Sequence, residues 1–161
     1  MNFSKLFFLL NFLFLMACSS AYDQLKVEEA ENNTSFQKYL FYNYKQQASF
    51  EAEKMHDWNS AKLYSEKALR ANKGKNIYPE KISYWEIPSS KVGDIISGHN
   101  NLLSIYDEAL LIDPKNLAKA ISSLDCWAEQ EEEKWQIWDI KECKNSFHSA
   151  MHEIYKNISN Q

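Results

Sequence analysis

Three glycines and three prolines are all that this 161-residue chain contains, and five of the six, Gly74, Pro79, Pro88, Gly93 and Gly98, fall in one stretch. A helix interior loses about 1 kcal/mol at a glycine and about 3 at a proline relative to alanine. The segments on either side are almost free of such breakers, so they are free to run as long helices. The distribution predicts an all-α chain with one irregular middle.

Periodicity places the elements. Leu40, Tyr44, Ala48, Ala52 and Met55 recur at three- and four-residue steps from about Ser35 and define one helical face. Asp57 and Asn59 suit a turn and an N-cap, after which Ala61, Tyr64, Ala68 and Ala71 form a second inner stripe that Gly74 ends. Residues Asn76 to Ser90, where Pro79 and Pro88 bracket Tyr84-Trp85, are expected to wrap the helices as an ordered loop. A third helix is expected from Ser90 or Asp94 through Ile95, Leu102, Leu103, Tyr106 and Leu110 to Ile112. Asp113-Pro114 then supplies an N-cap and first-turn proline for a fourth, with Leu117, Ile121, Leu124 and Ala128 inside. A fifth carries Ile140, Cys143, Phe147, Ala150, Met151, Ile154 and Tyr155, entered through a break in Lys134 to Asp139. Trp58-x-x-Ala61-x-x-Tyr64-x-x-Lys67-Ala68-Leu69 and Tyr106-x-x-Ala109-Leu110-x-x-x-Pro114 each resemble the latter half of a tetratricopeptide repeat. The expected architecture is a divergent tetratricopeptide-like bundle of about five helices.

The N-terminus reads as an export signal. Lys5 precedes an apolar run from Leu6 to Met16, shorter than the ~20 residues needed to span a bilayer, and Leu15-Met16-Ala17-Cys18 closes it. That closing pattern resembles the lipobox of bacterial lipoproteins, which implies cleavage before Cys18 and its acylation; two or more acyl chains anchor a protein stably. An ordinary cleaved signal peptide, with Cys18 incidental, is the other reading. The domain plan is then a signal peptide at 1–17, a lipidated flexible tether at 18–34 and a single helical domain at 35–161. Ser19 and Ser20 after the cysteine imply, through the same resemblance, a place on the periplasmic face of the outer membrane.

A net charge of −4 leaves no basic surplus to neutralise phosphates, so no nucleic-acid partner is expected. Apart from Cys18 the cysteines are Cys126 and Cys143, centred on the turn expected between the last two helices. In an antiparallel pair such residues face one another, and in an oxidising compartment they are expected to form a disulfide. A metal site using Cys143 and His148 is the alternative.

The densest motif is Asp125-Cys126-Trp127-Ala128-Glu129-Gln130-Glu131-Glu132-Glu133-Lys134-Trp135-Gln136, continuing to Asp139-Ile140, Cys143-Lys144 and Phe147. It resembles the Asp-Cys-Trp-x-Glu-Gln-x-Glu-x-x-Trp-Gln segment of the helical N-terminal domain of bacterial OmpA-family outer-membrane lipoproteins. Weaker anchors lie at His56-Asp57-Trp58 and Pro79-Glu80, and the likeness runs from about Phe41 to Tyr155. The peptidoglycan-binding domain of that family is not part of the likeness, so direct peptidoglycan binding is not implied.

Within the motif, Glu129, Glu132 and Glu133 read either as a solvated helical face or as groups that hold a cation or act as acid and base. His148 and His152, one turn apart, read as exposed histidines or a chelating pair without a third ligand. Trp127, Trp135 and Trp138 read as core packing or, with Glu129 and Glu133, as an interaction patch. The expectation is an outer-membrane-anchored, non-enzymatic envelope scaffold or protein-binding module that needs no cofactor or metal, its partner an OmpA-like envelope protein. The alternative is a cell-wall hydrolase using the carboxylates around Glu129 to Glu133.

Overall fold

A computed structural model describes residues 20–134 and 137–160, and every regular element in it is helical. Cys18 with its lipobox, and Trp135, lie outside the described residues. The α-helices are α1 (Ala21–Val27), α2 (Ser35–Phe50), α3 (Trp58–Asn72), α4 (Ser89–Ser104), α5 (Tyr106–Ile112), α6 (Pro114–Glu133) and α7 (Ile137–Ser159). Among the described residues seven α-helices thus stand where about five were expected.

Local chemistry sets most of the boundaries. Thr34 opens α2 with a capping box: its hydroxyl accepts from the Gln37 backbone N–H, and the Gln37 side chain reaches back to the Thr34 N–H. α2 passes into a π-helical turn, Glu51–Met55, that ends at His56 in the left-handed region (φ 58°). The Asp57 carboxylate then accepts from Asn59 and Ser60 N–H to start α3, and Gly74 leaves it at φ 75°. Asp113 caps α6 through the Asn116 N–H, with Pro114 in the first turn.

The helices pack as two antiparallel pairs, α2 with α3 and α6 with α7, and α2 lies against α6 to join them. Ala61, Ala68 and Ala71 on α3 are fully buried, and these small side chains let α2 and α3 approach closely while Phe36, Leu40, Phe41, Tyr44 and Tyr64 fill the space between. On the other side Leu124, Trp127, Phe147, Ala150 and Ile154 form the α6–α7 seam. Gly98 of α4 sits so close to that seam that a Cβ there would lie 2.9 Å from Phe147 Cε1.

Three expectations are corrected. The supposed tether is ordered from Ser20: α1 buries Tyr22 and Leu25, and the Tyr22 hydroxyl donates to Glu53 (2.6 Å). Beyond α1 the buried Asn72 side chain accepts from the Glu31 N–H (2.8 Å) and donates to the Glu29 carbonyl (2.9 Å), and Lys45 Nζ donates to the Glu28 carbonyl, so the polar backbone is held by side chains of α2 and α3 rather than by periodicity. The expected third helix is two, because Ile105 (φ −112°, ψ 5°) leaves helical geometry with neither glycine nor proline to announce it. Leu103 and Tyr155, assigned to inner stripes, are 40% and 45% exposed, since Leu102 and Ile154 take the inward positions. The middle segment is irregular as expected, with a short 3-10 turn at Ile82–Tyr84; Ile77 and Trp85 are buried and Tyr84 is exposed.

Candidate binding cleft and the polar network behind it

Asp125 and Glu129 stand one turn apart on the face of α6 turned toward α2 and α3, and each is 1% exposed. A buried carboxylate is tolerated only with partners. Asp125 has them all: Oδ2 accepts from the Tyr44 hydroxyl (2.7 Å) and pairs with Lys67 Nζ, while Oδ1 accepts the Glu80 backbone N–H (2.7 Å). Lys67 also pairs with Glu80 Oε1 (2.9 Å), and its ammonium lies 5.2 Å from the Tyr44 ring centroid. The Tyr44 ring stacks on Tyr64, whose hydroxyl donates to Glu129 Oε2 (2.5 Å). Burial first, then the neighbouring carboxylates, hold both phenols well above their ordinary pKa, so they remain donors. The network clamps α2, α3, α6 and the irregular segment at Glu80 to one another. This gives Asp125 and Glu80 of the motif a structural task.

Glu129 is less completely matched. Its Oε1 is buried without a hydrogen-bond partner. Three more buried acceptors in the same condition, Gln47 Oε1, Glu51 Oε2 and Gln130 Oε1, belong to residues lining one cleft of about 340 Å³ between α2 and the α6–α7 hairpin. Asp139, Glu142 and Lys119 complete its charged lining, and Cys126 and Cys143 form part of the wall. The amide orientations are set by the nitrogens: Gln47 Nε2 donates to the Ser122 carbonyl (2.9 Å) and Gln130 Nε2 to Glu133 (3.4 Å). Flipping Gln47 would set oxygen against oxygen at Ser122. Burial, with Glu129, Glu133, Asp57 and Asp139 nearby, pushes the Glu51 carboxyl up to about 8. Burial likewise lifts Glu129 to about 7, against the opposing pull of the nearby Ser60 and Tyr64 hydroxyls.

Cys126 and Cys143 are joined across α6 and α7, with Cα atoms 5.7 Å apart. The expected interaction patch does not form one surface. Trp127 is buried, its indole N–H donating to Glu131 (3.3 Å) and its ring packed on Phe147 and His148. Glu129 faces the core and Glu133 is half-buried, whereas Trp138 is 85% exposed on α7. The reason is that α6 is enclosed on nearly every side near its C-terminal end, from Leu124 to Glu131. Glu129 is therefore no solvated-face residue, while Glu132 is half-buried and accepts the Glu86 N–H (2.7 Å). His148 and His152 are exposed on α7, and no group of three or more metal-ligating side chains occurs among the described residues.

Gln47 and Glu51 are the site residues that periodicity does not reveal. The available signal is their position: each adjoins the inner stripe Ala48 and Ala52, whose small side chains leave room for a polar neighbour to be enclosed. No described helix is long and apolar enough to cross a membrane. No protein family, curated protein or solved structure matches this chain.

Proposed function

We propose that this protein is an exported lipoprotein of the bacterial envelope, anchored through an acylated Cys18 to the outer membrane on its periplasmic face, and that it works as a non-enzymatic protein-binding scaffold. The observation that carries this reading is the Cys126–Cys143 bond, because a disulfide persists in an oxidising compartment, where the Leu15-to-Cys18 pattern would also deliver the chain. Only Ser19 and Ser20 separate Cys18 from α1, which is docked on α2 and α3. The anchor would therefore hold the domain against the bilayer surface instead of displaying it on a long tether.

The patterns around Trp58-to-Leu69 and Tyr106-to-Pro114, with Ala61, Ala68 and Ala109 fully buried, support tetratricopeptide-like helix packing as the framework. A separately encoded OmpA-like envelope protein is the proposed partner, by the resemblance of the Asp125-to-Gln136 segment. The two acids of the site with displaced pKa, Glu51 and Glu129, are both raised. A hydrolase pair working as acid and base needs environments that push the two apart, which favours the scaffold over the hydrolase. Export and anchoring are tested by fractionating cells that produce the wild type and Cys18→Ser. The wild type should sediment with outer membrane and carry acyl groups by mass spectrometry, and the variant should be released. A wild type that carries no lipid overturns the anchor, and affinity capture from detergent-solubilised envelopes tests the partner.

A further inference from the structure

We propose that the pole of the bundle where α1 begins is a membrane-docking surface, on which Trp58 and Trp138 seat in the headgroup region of a phospholipid bilayer. The inference rests on the reading of Cys18 as the acylated anchor, and adds to it which face meets the lipid. Contacts within the bundle establish which helix ends share that pole. The Tyr44–Tyr64 ring stack and the hydrogen bond from Gln37 Nε2 to the Gly74 carbonyl (2.8 Å) run α2 and α3 antiparallel about the π-helical turn. Lys67 with Asp125 and Tyr64 with Glu129 run α3 antiparallel to α6, while Cys126 with Cys143 and Ser123 with Ser146 (3.0 Å) run α6 antiparallel to α7. The end of α2, the start of α3, the end of α6 and the start of α7 therefore lie at one pole. The start of α1 joins them, because Tyr22 donates to Glu53 and its ring centroid lies 6.4 Å from that of Trp58. Asn157 Nδ2, donating to Asp113 Oδ2 (2.6 Å), marks the opposite pole.

The tryptophans sort by pole. Trp85 and Trp127 are buried, whereas Trp58, 60% exposed, is the first residue of α3, and Trp138, 85% exposed, follows the exposed Ile137 that opens α7. An indole joins a large apolar body to one N–H donor, and such a side chain gains most at a lipid–water boundary, where the ring leaves water while the N–H stays hydrated. Reach selects lipid as the occupant. From Cys18 to Ser20 the chain spans at most about 7 Å, less than the ~10 Å diameter of a helix. With Cys18 held at the bilayer surface, a protein partner has no room between that surface and the start of α1.

Charge defines the kind of docking. Exposed groups near this pole carry both signs, Asp23, Glu53 and Glu142 with Lys54, Lys134 and Lys141, so there is no basic patch to draw on anionic lipid. The contact is aromatic and apolar, and it should form on a zwitterionic bilayer. Docked in this way, the helices stand on the bilayer and the pole at Asp113 points away from it.

The test supplies the anchor chemically, so that docking is measured apart from acylation in cells. With Cys126 and Cys143 bonded to each other, Cys18 is the remaining thiol of the mature chain, and it is coupled to a maleimide phospholipid in phosphatidylcholine vesicles. Brominated acyl chains in those vesicles quench indoles that reach the bilayer. Wild-type emission should fall relative to unbrominated vesicles, by the same fraction with or without phosphatidylglycerol. Trp58→Tyr combined with Trp138→Tyr should cut the quenched emission about twofold or more, even with Trp135 retained, because the indoles lost are the ones at the boundary. Leu111→Trp is the control: Leu111 is 85% exposed near Asp113 at the opposite pole, and the emission this substitution adds should escape quenching. Absence of quenching in the wild type, quenching that needs anionic lipid, quenching unchanged by the double substitution, or equal quenching of the emission added by Leu111→Trp would each overturn the assignment. All three substituted side chains are exposed, and the wild-type comparison of lipids needs no variant. A wild type that cells leave unacylated overturns the anchor, whereas absent quenching overturns the docking surface whatever the cells do.

Discussion

Lys67 of α3 and Asp125 of α6 form an ion pair whose side chains are 2% and 1% exposed, and the same ammonium bridges to Glu80 in the irregular segment. A pair this deep matters less for its own strength than for what its loss leaves behind. Removing one partner strands a buried charge, at a cost of ~3–5 kcal/mol, while replacing both is far milder. Lys67→Met is expected to fall in that range by urea denaturation. Lys67→Met combined with Asp125→Asn should be clearly less destabilised than the sum of the single changes. Simple additivity would show that the two groups do not depend on one another.

The two glycines of α4 should respond in opposite directions. A Cβ on Gly98 would meet Phe147 at 2.9 and 3.2 Å, and that ring is held in the core against Trp127. Gly98→Ala is expected to destabilise by about 1–3 kcal/mol through overpacking. Gly93 has nothing within 4 Å of its would-be Cβ, so Gly93→Ala should stabilise by about 1 kcal/mol from helix propensity alone. Thermal melts of the two variants beside the wild type decide the point; a shift of the same sign in both would contradict the packing described.

Stability should fall as pH rises through neutrality. Glu51 and Glu129 have folded pKa values of about 8 and about 7, above the ordinary 4.5, so between these limits the folded chain binds more protons than the unfolded one. Their contribution is fully present below about pH 4.5 and is lost as pH rises through about 7 and 8. Glu51→Gln removes one buried acid and should flatten the upper part of that window, giving a higher melting temperature than wild type near pH 8 and little difference near pH 5. Identical profiles for the two proteins would show that Glu51 is not held in its neutral form.

Reduction of the Cys126–Cys143 bond, or replacement of both residues by serine, should lower stability by ~3 kcal/mol for a loop of this length while leaving helix content unchanged. The far-ultraviolet circular dichroism at low temperature and the denaturation midpoint measure the two parts separately.

What the sequence determined by itself is what short-range physics encodes. The scarcity of glycine and proline dictated helices, the three- and four-residue spacing of Leu40, Tyr44 and Ala48 or of Phe147, Ala150 and Ile154 chose their buried faces, and Asp57, Gly74 and Asp113-Pro114 marked their ends. The Cys126–Cys143 pairing followed from equal distances to a turn. What only the tertiary structure decided is the fate of polar residues, whose burial depends on partners remote in the chain. Glu129 is enclosed because Tyr64, 65 positions away, donates to it, and residues 28–33 are docked because Asn72 answers their backbone. Gln47 and Glu51 meet Gln130 only because α2 lies against α6. An apolar side chain is drawn inward by its own transfer free energy, so its place is legible locally. A carboxylate or amide goes inside only where another element brings a donor, and that condition is set by the assembled fold.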